Sequence, residues 1–261
     1  MMTSDPYFID FPARIKAIQS EMKKDGVNVY LGSRLRTLSW TTDAFFPWRS
    51  YIVIPPEGLP TAFTFVIDAA RAADDSWLDS DHVLGFAPMG GQDQITAVSD
   101  LVKSYLPESG GVVGVEAGMS NYLPEGNLTH YEYQAFEAAL AGHTLVNALD
   151  IIDRLALIKD EGTINRFRKA GRMADAGHEA VYKAIINGGF KKYTETQIAG
   201  IAAMGMRDAG SVWEWSFTGG NEIASGYRTG LMGGACTPPT ERKLQPGEPL
   251  MVDLHSTFRL G

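Results

Sequence analysis

The sequence predicts an α/β domain followed by a second domain that begins with two long helices. In the front half, short apolar runs alternate with amphipathic segments, which is the pattern of strands and helices that pack on one sheet. Near residues 150–160 this alternation gives way to a long helical tract. We therefore predict a mixed or largely parallel sheet in the first domain, with helices packed on it. The boundary is placed near residue 153, so that the domains are 1–153 and 154–261.

Periodicity and turn residues indicate the elements of the front half. Apolar Ile15, Ile18 and Met22 fall at helical spacing, and Asp25-Gly26 is a plausible C-cap. Pro55-Pro56-Glu57-Gly58 separates two apolar runs, which predicts a hairpin. The predicted helices are 11–24, 68–78, 94–106 and 131–140, and the predicted strands are 27–31, 51–54, 61–67, 112–115 and one that begins at 144.

The back half contains two predicted helices and a strand. The first helix runs from Asp160 to about Ile186, where Gly188-Gly189 breaks it. The second runs from Thr194 to Met206 and begins with a residue type that caps helix N-termini. The strand Pro249–Val252 then delivers a carboxylate, Asp253. A carboxylate at the end of a buried strand requires a cation, a metal ion or a dense set of hydrogen bonds beside it, because burying it unpaired is costly.

Composition excludes several classes of protein. The 261 residues are 44% hydrophobic and 21% charged, which is ordinary for a globular protein with a core. The net charge of -8 argues against nucleic acid as a partner, since phosphate binding needs a basic surface. The single cysteine, Cys236, excludes an internal disulfide framework and fits a reducing compartment. No signal peptide or membrane-spanning apolar run is visible, so we expect a soluble cytoplasmic protein with no membrane partner.

The order of these signals resembles the pita-bread metallohydrolase family of creatinase, prolidase and aminopeptidase P. In the last part of the chain, Ala224-Ser225-Gly226 precedes a loop, the turn Arg242–Glu248 follows, and a strand then ends in Asp253. Residues 154–161 look like the family's linker and the start of its first catalytic helix, and residues 14–30 look like its N-terminal domain. The resemblance implies a creatinase-like α/β N-terminal domain followed by the first half of an α+β pita-bread catalytic domain.

The resemblance also implies a metal-dependent hydrolase. Asp253 would be the first metal ligand of a site for two divalent ions, chosen among Mn, Zn, Fe and Co. Such a pair of ions activates a water molecule by lowering its pKa towards roughly 7. The substrate would be a short peptide with an Xaa-Pro bond or a small molecule with a C–N bond. The family's other ligands are expected beyond Gly261, so we expect a chain truncated within the catalytic domain, inactive alone, with a separate C-terminal half as a candidate partner.

One departure from the family pattern keeps two alternatives open. Peptidases of this family usually carry a His a few residues after the Ser-Gly pair, whereas the matching stretch Leu231–Cys236 has none. The first alternative is a non-peptidase relative, either creatinase-like or similar to the metal-dependent dimethylsulfoniopropionate lyase, whose loop this stretch resembles. The second is a non-catalytic pita-bread binding module, as in histone-chaperone subunits.

Two candidate substrate-binding residues lie in the back half. Arg228 follows a flexible glycine and could hold a substrate carboxylate with two hydrogen bonds, or pair with a nearby acidic residue. His255 lies two residues beyond Asp253, so on a strand it points to the same side. It is a candidate substrate contact, additional ligand or proton carrier, or else a hydrogen-bonded, half-buried histidine.

Trp48 and Arg49 are the candidate substrate-binding residues of the front half. They lie in an aromatic cluster with Trp40, Phe45 and Phe46. In dimeric members of the family, the N-terminal domain of one subunit reaches the active site of the other. By this analogy we expect a homodimer in which Trp48 and Arg49 contact the substrate across the interface. The alternative for Trp48 is a corner of the core next to a hairpin.

Overall fold

In the computed structural model, the chain folds into two compact units. Among the described residues, one unit comprises 9–159, and the other comprises 5–8 together with 160–259. The predicted domain boundary at residue 153 stays a prediction. The residues that the structure describes are 5–87, 93–118, 126–214, 220–234 and 237–259.

A six-stranded mixed sheet forms the centre of unit 9–159. Its strands are Val29–Gly32 (β1), Tyr51–Ile54 (β2), Thr61–Phe65 (β3), Val83–Phe86 (β4), Val112–Val115 (β5) and Thr144–Asn147 (β6). The strand order is β4-β3-β2-β1-β5-β6. β2 runs antiparallel to both β1 and β3, whereas the pairs β1–β5, β5–β6 and β3–β4 are parallel. The sheet is therefore mixed, as predicted, and the predicted hairpin joins β2 to β3.

Helices cover both faces of this sheet. They are Phe11–Lys24 (α1), Leu35–Thr42 (α2), Val66–Asp75 (α3), Gln94–Ser104 (α4), His130–Ala139 (α5) and Leu149–Leu157 (α6). Alternate residues of β1 belong to different apolar clusters: Tyr30 packs with α1, whereas Val29 and Leu31 pack with α4 and α5. The strand is thus buried on both sides, which is why it reads as a continuous apolar run.

A buried ion pair lies where the parallel strands β1 and β5 end. The carboxylate of Glu116 accepts hydrogen bonds from the backbone amides of Ser33 and Arg34, at 2.5 and 2.7 Å. The Arg34 guanidinium donates from Nε to the same carboxylate at 2.8 Å, and from Nη2 to Asp153 at 2.9 Å. The side chains of Arg34 and Glu116 are 2% and 0% exposed. This network joins β1, β5 and α6.

The second unit contains two long helices and a strand pair. These are Glu161–Ile186 (α7), Glu195–Asp208 (α8), Glu222–Ser225 (β7) and Leu250–Asp253 (β8). Asp160 caps α7, and Thr194 forms a capping box with Gln197 at the start of α8. Side chains from α7, α8, β7 and the loop before β8 form one apolar cluster, which includes Val181, Ile198 and Ile223. In the part of the chain that is described, no helix is long and apolar enough to cross a membrane.

Candidate metal centre

The pairing of β7 with β8 places two carboxylates opposite each other. The strands are antiparallel, and their register pairs Glu222 with Asp253 and Ser225 with Leu250. Directly opposed residues in an antiparallel pair project from the same face of the sheet. Glu222 begins β7 and is buried, whereas Asp253 ends β8 and is half-exposed. The strand register therefore determines that both side chains reach the same place.

His255 joins these two carboxylates. Its backbone amide donates to the side-chain oxygen of Asn221 at 3.1 Å, which holds the segment after β8 beside the start of β7. Its Nε2 atom lies 2.6 Å from Glu222 Oε2 and 3.6 Å from Asp253 Oδ1. One ligand atom from each of the three residues lies within 4.8 Å of the others. The structure thus brings the predicted residues Asp253 and His255 together with Glu222.

The chemistry of this group fits a divalent cation. Two carboxylates at directly opposed positions repel each other, and burial of Glu222 raises the cost of its charge. A cation between them removes this repulsion. Carboxylate oxygens and an imidazole nitrogen are the donors that Mn, Fe, Co and Zn ions accept. The three residues could hold such an ion, so the cofactor that the family resemblance implies fits the residues present.

Arg228 lies at the other end of the strand pair. Its Nε donates to Glu195 Oε2 at 3.1 Å and its Nη2 to the carbonyl oxygen of Pro238 at 2.7 Å. The buried Glu195 carboxylate also accepts from the amides and hydroxyls of Ser225 and Thr240, at 2.7–3.0 Å. Since Ser225 ends β7 and Glu222 begins it, the Arg228 pair and the carboxylate group occupy opposite ends of this strand. Its role as a substrate clamp stays a prediction.

The same end of the strand pair has a cavity of about 280 Å³. Ser225 and Leu250 line it together with apolar side chains that include Ile185, Phe190 and Leu244. The cavity is thus an extension of the apolar cluster of this unit and does not include the three candidate ligands.

Trp48 and Arg49 belong to the other unit. The Trp48 side chain is half-exposed, and its ring packs edge-on against Phe65 with 5.3 Å between centroids. The Arg49 guanidinium donates to both oxygens of Glu132, at 2.6 and 2.8 Å, and to the carbonyl oxygen of Gly126 at 2.7 Å. Arg49 thus links the start of β2 to α5. Whether either residue contacts a substrate stays a prediction.

Comparisons with known proteins identify the family. Residues 14–158, more than half of the chain, match the model of the creatinase/prolidase N-terminal domain. Residues 165–259 match the model of metallopeptidase family M24. The chain belongs to the pita-bread family of creatinase, prolidase and aminopeptidase P. No curated protein matches it.

Solved structures of this family share the fold. Prolidase from Pyrococcus furiosus aligns with a TM-score of 0.72 at 17% identity over 94% of this chain. For Xaa-Pro dipeptidase from Bacillus anthracis the values are 0.70, 16% and 95%, and for X-Pro aminopeptidase from Thermotoga maritima MSB8 they are 0.65, 16% and 92%. The chain spans 67, 61 and 61% of the lengths of these three proteins. The fold is therefore a creatinase-type N-terminal domain followed by part of a pita-bread domain, as predicted.

Sequence reasoning missed Glu222 as a member of the site. The signal was present in Asn221-Glu222-Ile223-Ala224, where an acidic residue begins a short apolar strand. Its partner was not visible, because the register that pairs Glu222 with Asp253 follows from the fold. Of the stretch Leu231–Cys236, residues 235 and 236, including Cys236, lie outside the described residues.

Proposed function

We propose that the protein containing this chain is a metal-dependent hydrolase of the prolidase and aminopeptidase P type, with Asp253 as a metal ligand. The observation that supports this most directly is the position of Asp253. It ends β8 opposite a second carboxylate and 3.6 Å from the imidazole of His255. This is also the strand end at which the family resemblance expects the first ligand.

The residues of the chain have distinct parts in this proposal. Asp253 supplies a half-exposed carboxylate at the strand end, which remains accessible to an incoming ion. The rigid pairing of β8 with β7 fixes the position of that carboxylate. Divalent ions bound there, two in the proposed enzyme, would supply an activated water and stabilise negative charge on a substrate oxygen. Mn, Zn, Fe and Co remain the candidates.

An Xaa-Pro dipeptide or a similar short peptide is the proposed substrate. Its support is the family itself, since the structures that align with the chain are named prolidase, Xaa-Pro dipeptidase and X-Pro aminopeptidase. We further propose that Arg228, Trp48, Arg49 and His255 contact the substrate. A homodimer and a cytoplasmic location complete the proposal.

A non-peptidase activity is the second candidate. The specific observation in its favour is the absence of a His from the stretch Leu231–Cys236, where family peptidases usually have one. A creatinase-like or dimethylsulfoniopropionate lyase-like reaction would need the same metal ligand but a different substrate contact.

A substrate panel tests the proposal. The purified protein, loaded with Mn²⁺, Co²⁺ or Zn²⁺, is assayed with Xaa-Pro dipeptides, creatine and dimethylsulfoniopropionate. We expect hydrolysis of the dipeptides, and loss of this activity in Asp253→Asn but not in His178→Gln. His178 is a suitable control because its ring contacts the Val252 carbonyl, next to Asp253, but is outside the group of three. Turnover of creatine or dimethylsulfoniopropionate alone would support the second candidate, and full activity in Asp253→Asn would contradict the metal-ligand assignment.

A further inference from the structure

We infer that Glu222 and His255 bind the same metal ion as Asp253, so that this part of the chain forms a three-residue site selective for ions that accept nitrogen ligands. This inference rests on the proposed function, because it assumes that Asp253 is a ligand. It goes beyond that function by assigning metal binding to two residues outside the ligand set that the family resemblance implies. The predicted preference is for Zn²⁺ or Co²⁺ over Mg²⁺.

The first argument is geometric. Ligand atoms that lie about 2.0–2.2 Å from one zinc ion are at most about 4.4 Å apart. His255 Nε2 and Asp253 Oδ1, at 3.6 Å, already lie within this limit. All three ligand atoms lie within 4.8 Å of one another, so a small rotation of the partly exposed Asp253 and His255 side chains is sufficient. Glu222 is the fixed member, because it is buried and paired in the strand ladder.

The second argument concerns charge. Glu222 is only 2% exposed, and a second carboxylate lies directly across the strand pair. Like charges in this arrangement destabilise the pair of strands. A divalent ion that contacts both carboxylates neutralises them together, whereas the 2.6 Å contact between His255 and Glu222 answers mainly one of them. The group is thus better suited to a bound cation than to the two carboxylates and the histidine alone.

The third argument concerns the histidine. Hard ions such as Mg²⁺ prefer oxygen ligands and retain several waters, whereas imidazole suits Zn²⁺, Co²⁺ and Fe²⁺. The amide of His255 is held by Asn221, and its Nε2 atom faces both carboxylates. An imidazole in this position adds one nitrogen ligand to two oxygen ligands. Selectivity for a nitrogen-accepting ion follows from that composition.

Calorimetric titration of the metal-stripped protein tests the inference. Zn²⁺ and Mg²⁺ are titrated separately into wild type, Asp253→Asn, Glu222→Gln, His255→Gln and the control His178→Gln. We expect each of the first three substitutions to lower Zn²⁺ affinity by at least about tenfold, the lower end of the effect that even indirect partners of a metal have. His255→Gln should also reduce the preference for Zn²⁺ over Mg²⁺, and His178→Gln should change neither.

A spectroscopic measurement separates a ligand from a residue that only positions one. With Mn²⁺ bound, pulsed electron paramagnetic resonance detects the nitrogen of a directly bound imidazole. We expect wild type and His178→Gln to share one nitrogen coupling that His255→Gln lacks. If affinity falls but every nitrogen coupling is retained, His255 only positions a carboxylate and the inference is overturned.

The pattern across the variants distinguishes this inference from the proposed function. If only Asp253→Asn weakens binding, the proposed function stands and the three-residue site does not. If no substitution weakens binding, both are wrong. Thermal unfolding of the metal-free variants identifies any loss that reflects misfolding. If the buried Glu222→Gln variant does not fold, the partly exposed His255 carries the test alone.

Discussion

Glu222 and Asp253 lie directly opposite each other in the β7–β8 pair, although 30 residues separate them in the sequence. This pairing concentrates two carboxylates at one end of a short strand pair, and His255 Nε2 lies beside both. A well-defined strand pairing thus produces the only cluster of candidate metal ligands found among the described residues. The functional proposals above depend on this relationship.

Close packing of α7 against α8 requires a glycine at position 205. A Cβ atom added there would lie 2.7 Å from the Ala180 side chain and 2.9 Å from the carbonyl oxygen of Ala176. We expect Gly205→Ala to lower the free energy of unfolding by about 1–3 kcal/mol, because the helices must separate. The matched control is Gly200→Ala on the same helix, where a Cβ meets nothing within 4 Å. Urea unfolding should show this control to be neutral or slightly stabilised; equal effects would contradict the packing argument.

The elements that sequence reasoning found share strong local signals. α1, α7 and α8 have apolar residues at helical spacing and recognisable caps, and their observed ends agree closely with prediction. Three elements were missed: α2, β4 and α6. α2 is rich in threonine, with Thr37, Thr41 and Thr42 all buried, so tertiary contacts rather than propensity stabilise it. β4 is only four residues long and contains a glycine, which leaves too short a pattern to recognise.

Arg34 and Arg36 provide a matched test of the buried ion pair. Both contact Asp153, at 2.9 and 3.2 Å, but their side chains are 2% and 56% exposed. We expect Arg34→Met to lower the free energy of unfolding by about 3–5 kcal/mol, because Glu116 would remain buried without its cation. Arg36→Met should cost less than about 1 kcal/mol, as for other exposed pairs. Similar unfolding midpoints in urea for the two variants would show that Glu116 does not depend on Arg34.

Glu195 makes stability depend on pH in the acid range. Burial by itself would raise the pKa of its carboxyl, but hydrogen bonds from Thr240 and Ser225 outweigh burial and lower the pKa below the ordinary 4.5. The stabilisation is therefore complete above the ordinary pKa and is lost as the pH falls through the lower, folded-state value. We expect Glu195→Gln to cost about 1–3 kcal/mol at pH 7, since its amide cannot accept every one of these bonds.

The control for Glu195 is the exposed Glu241. Unfolding free energies are measured from pH 7 down to pH 3 for wild type, Glu195→Gln and Glu241→Gln. The difference between wild type and Glu195→Gln should shrink as the pH falls, and Glu241→Gln should follow wild type throughout. A difference that stays constant with pH would mean that the charge of Glu195 has no part in stability.

Trp48 and Arg49 should differ in what their substitution changes. Arg49 holds Glu132 and a backbone carbonyl, so Arg49→Gln should lower the free energy of unfolding by about 1–3 kcal/mol. The half-exposed Trp48 has one side open, so Trp48→Ala should have a smaller effect on unfolding. If Trp48 contacts the substrate, Trp48→Ala raises KM in the substrate panel. An unchanged KM together with a large loss of stability would assign Trp48 to the core.

The site was only partly predictable. Asp253 and His255 could be named because a strand end and the two-residue spacing are both local features. Glu222 required the register of two strands, and the partners of Arg228 and Arg49 required contacts with Glu195 and Glu132 from distant segments. Nonlocal contacts of this kind leave no periodic pattern in one sequence.

The most direct test of the central claim is the metal content of the purified protein and of its Asp253→Asn variant, measured by mass spectrometry with plasma ionisation. Because the Asp253 side chain is half-exposed, the substitution should leave the fold intact, which circular dichroism can verify. We predict that the wild-type protein retains divalent transition metal and that the folded variant retains much less. Equal metal content in the two proteins, or none in the wild type after purification with added Zn²⁺ or Mn²⁺, would contradict the assignment of Asp253 as a metal ligand.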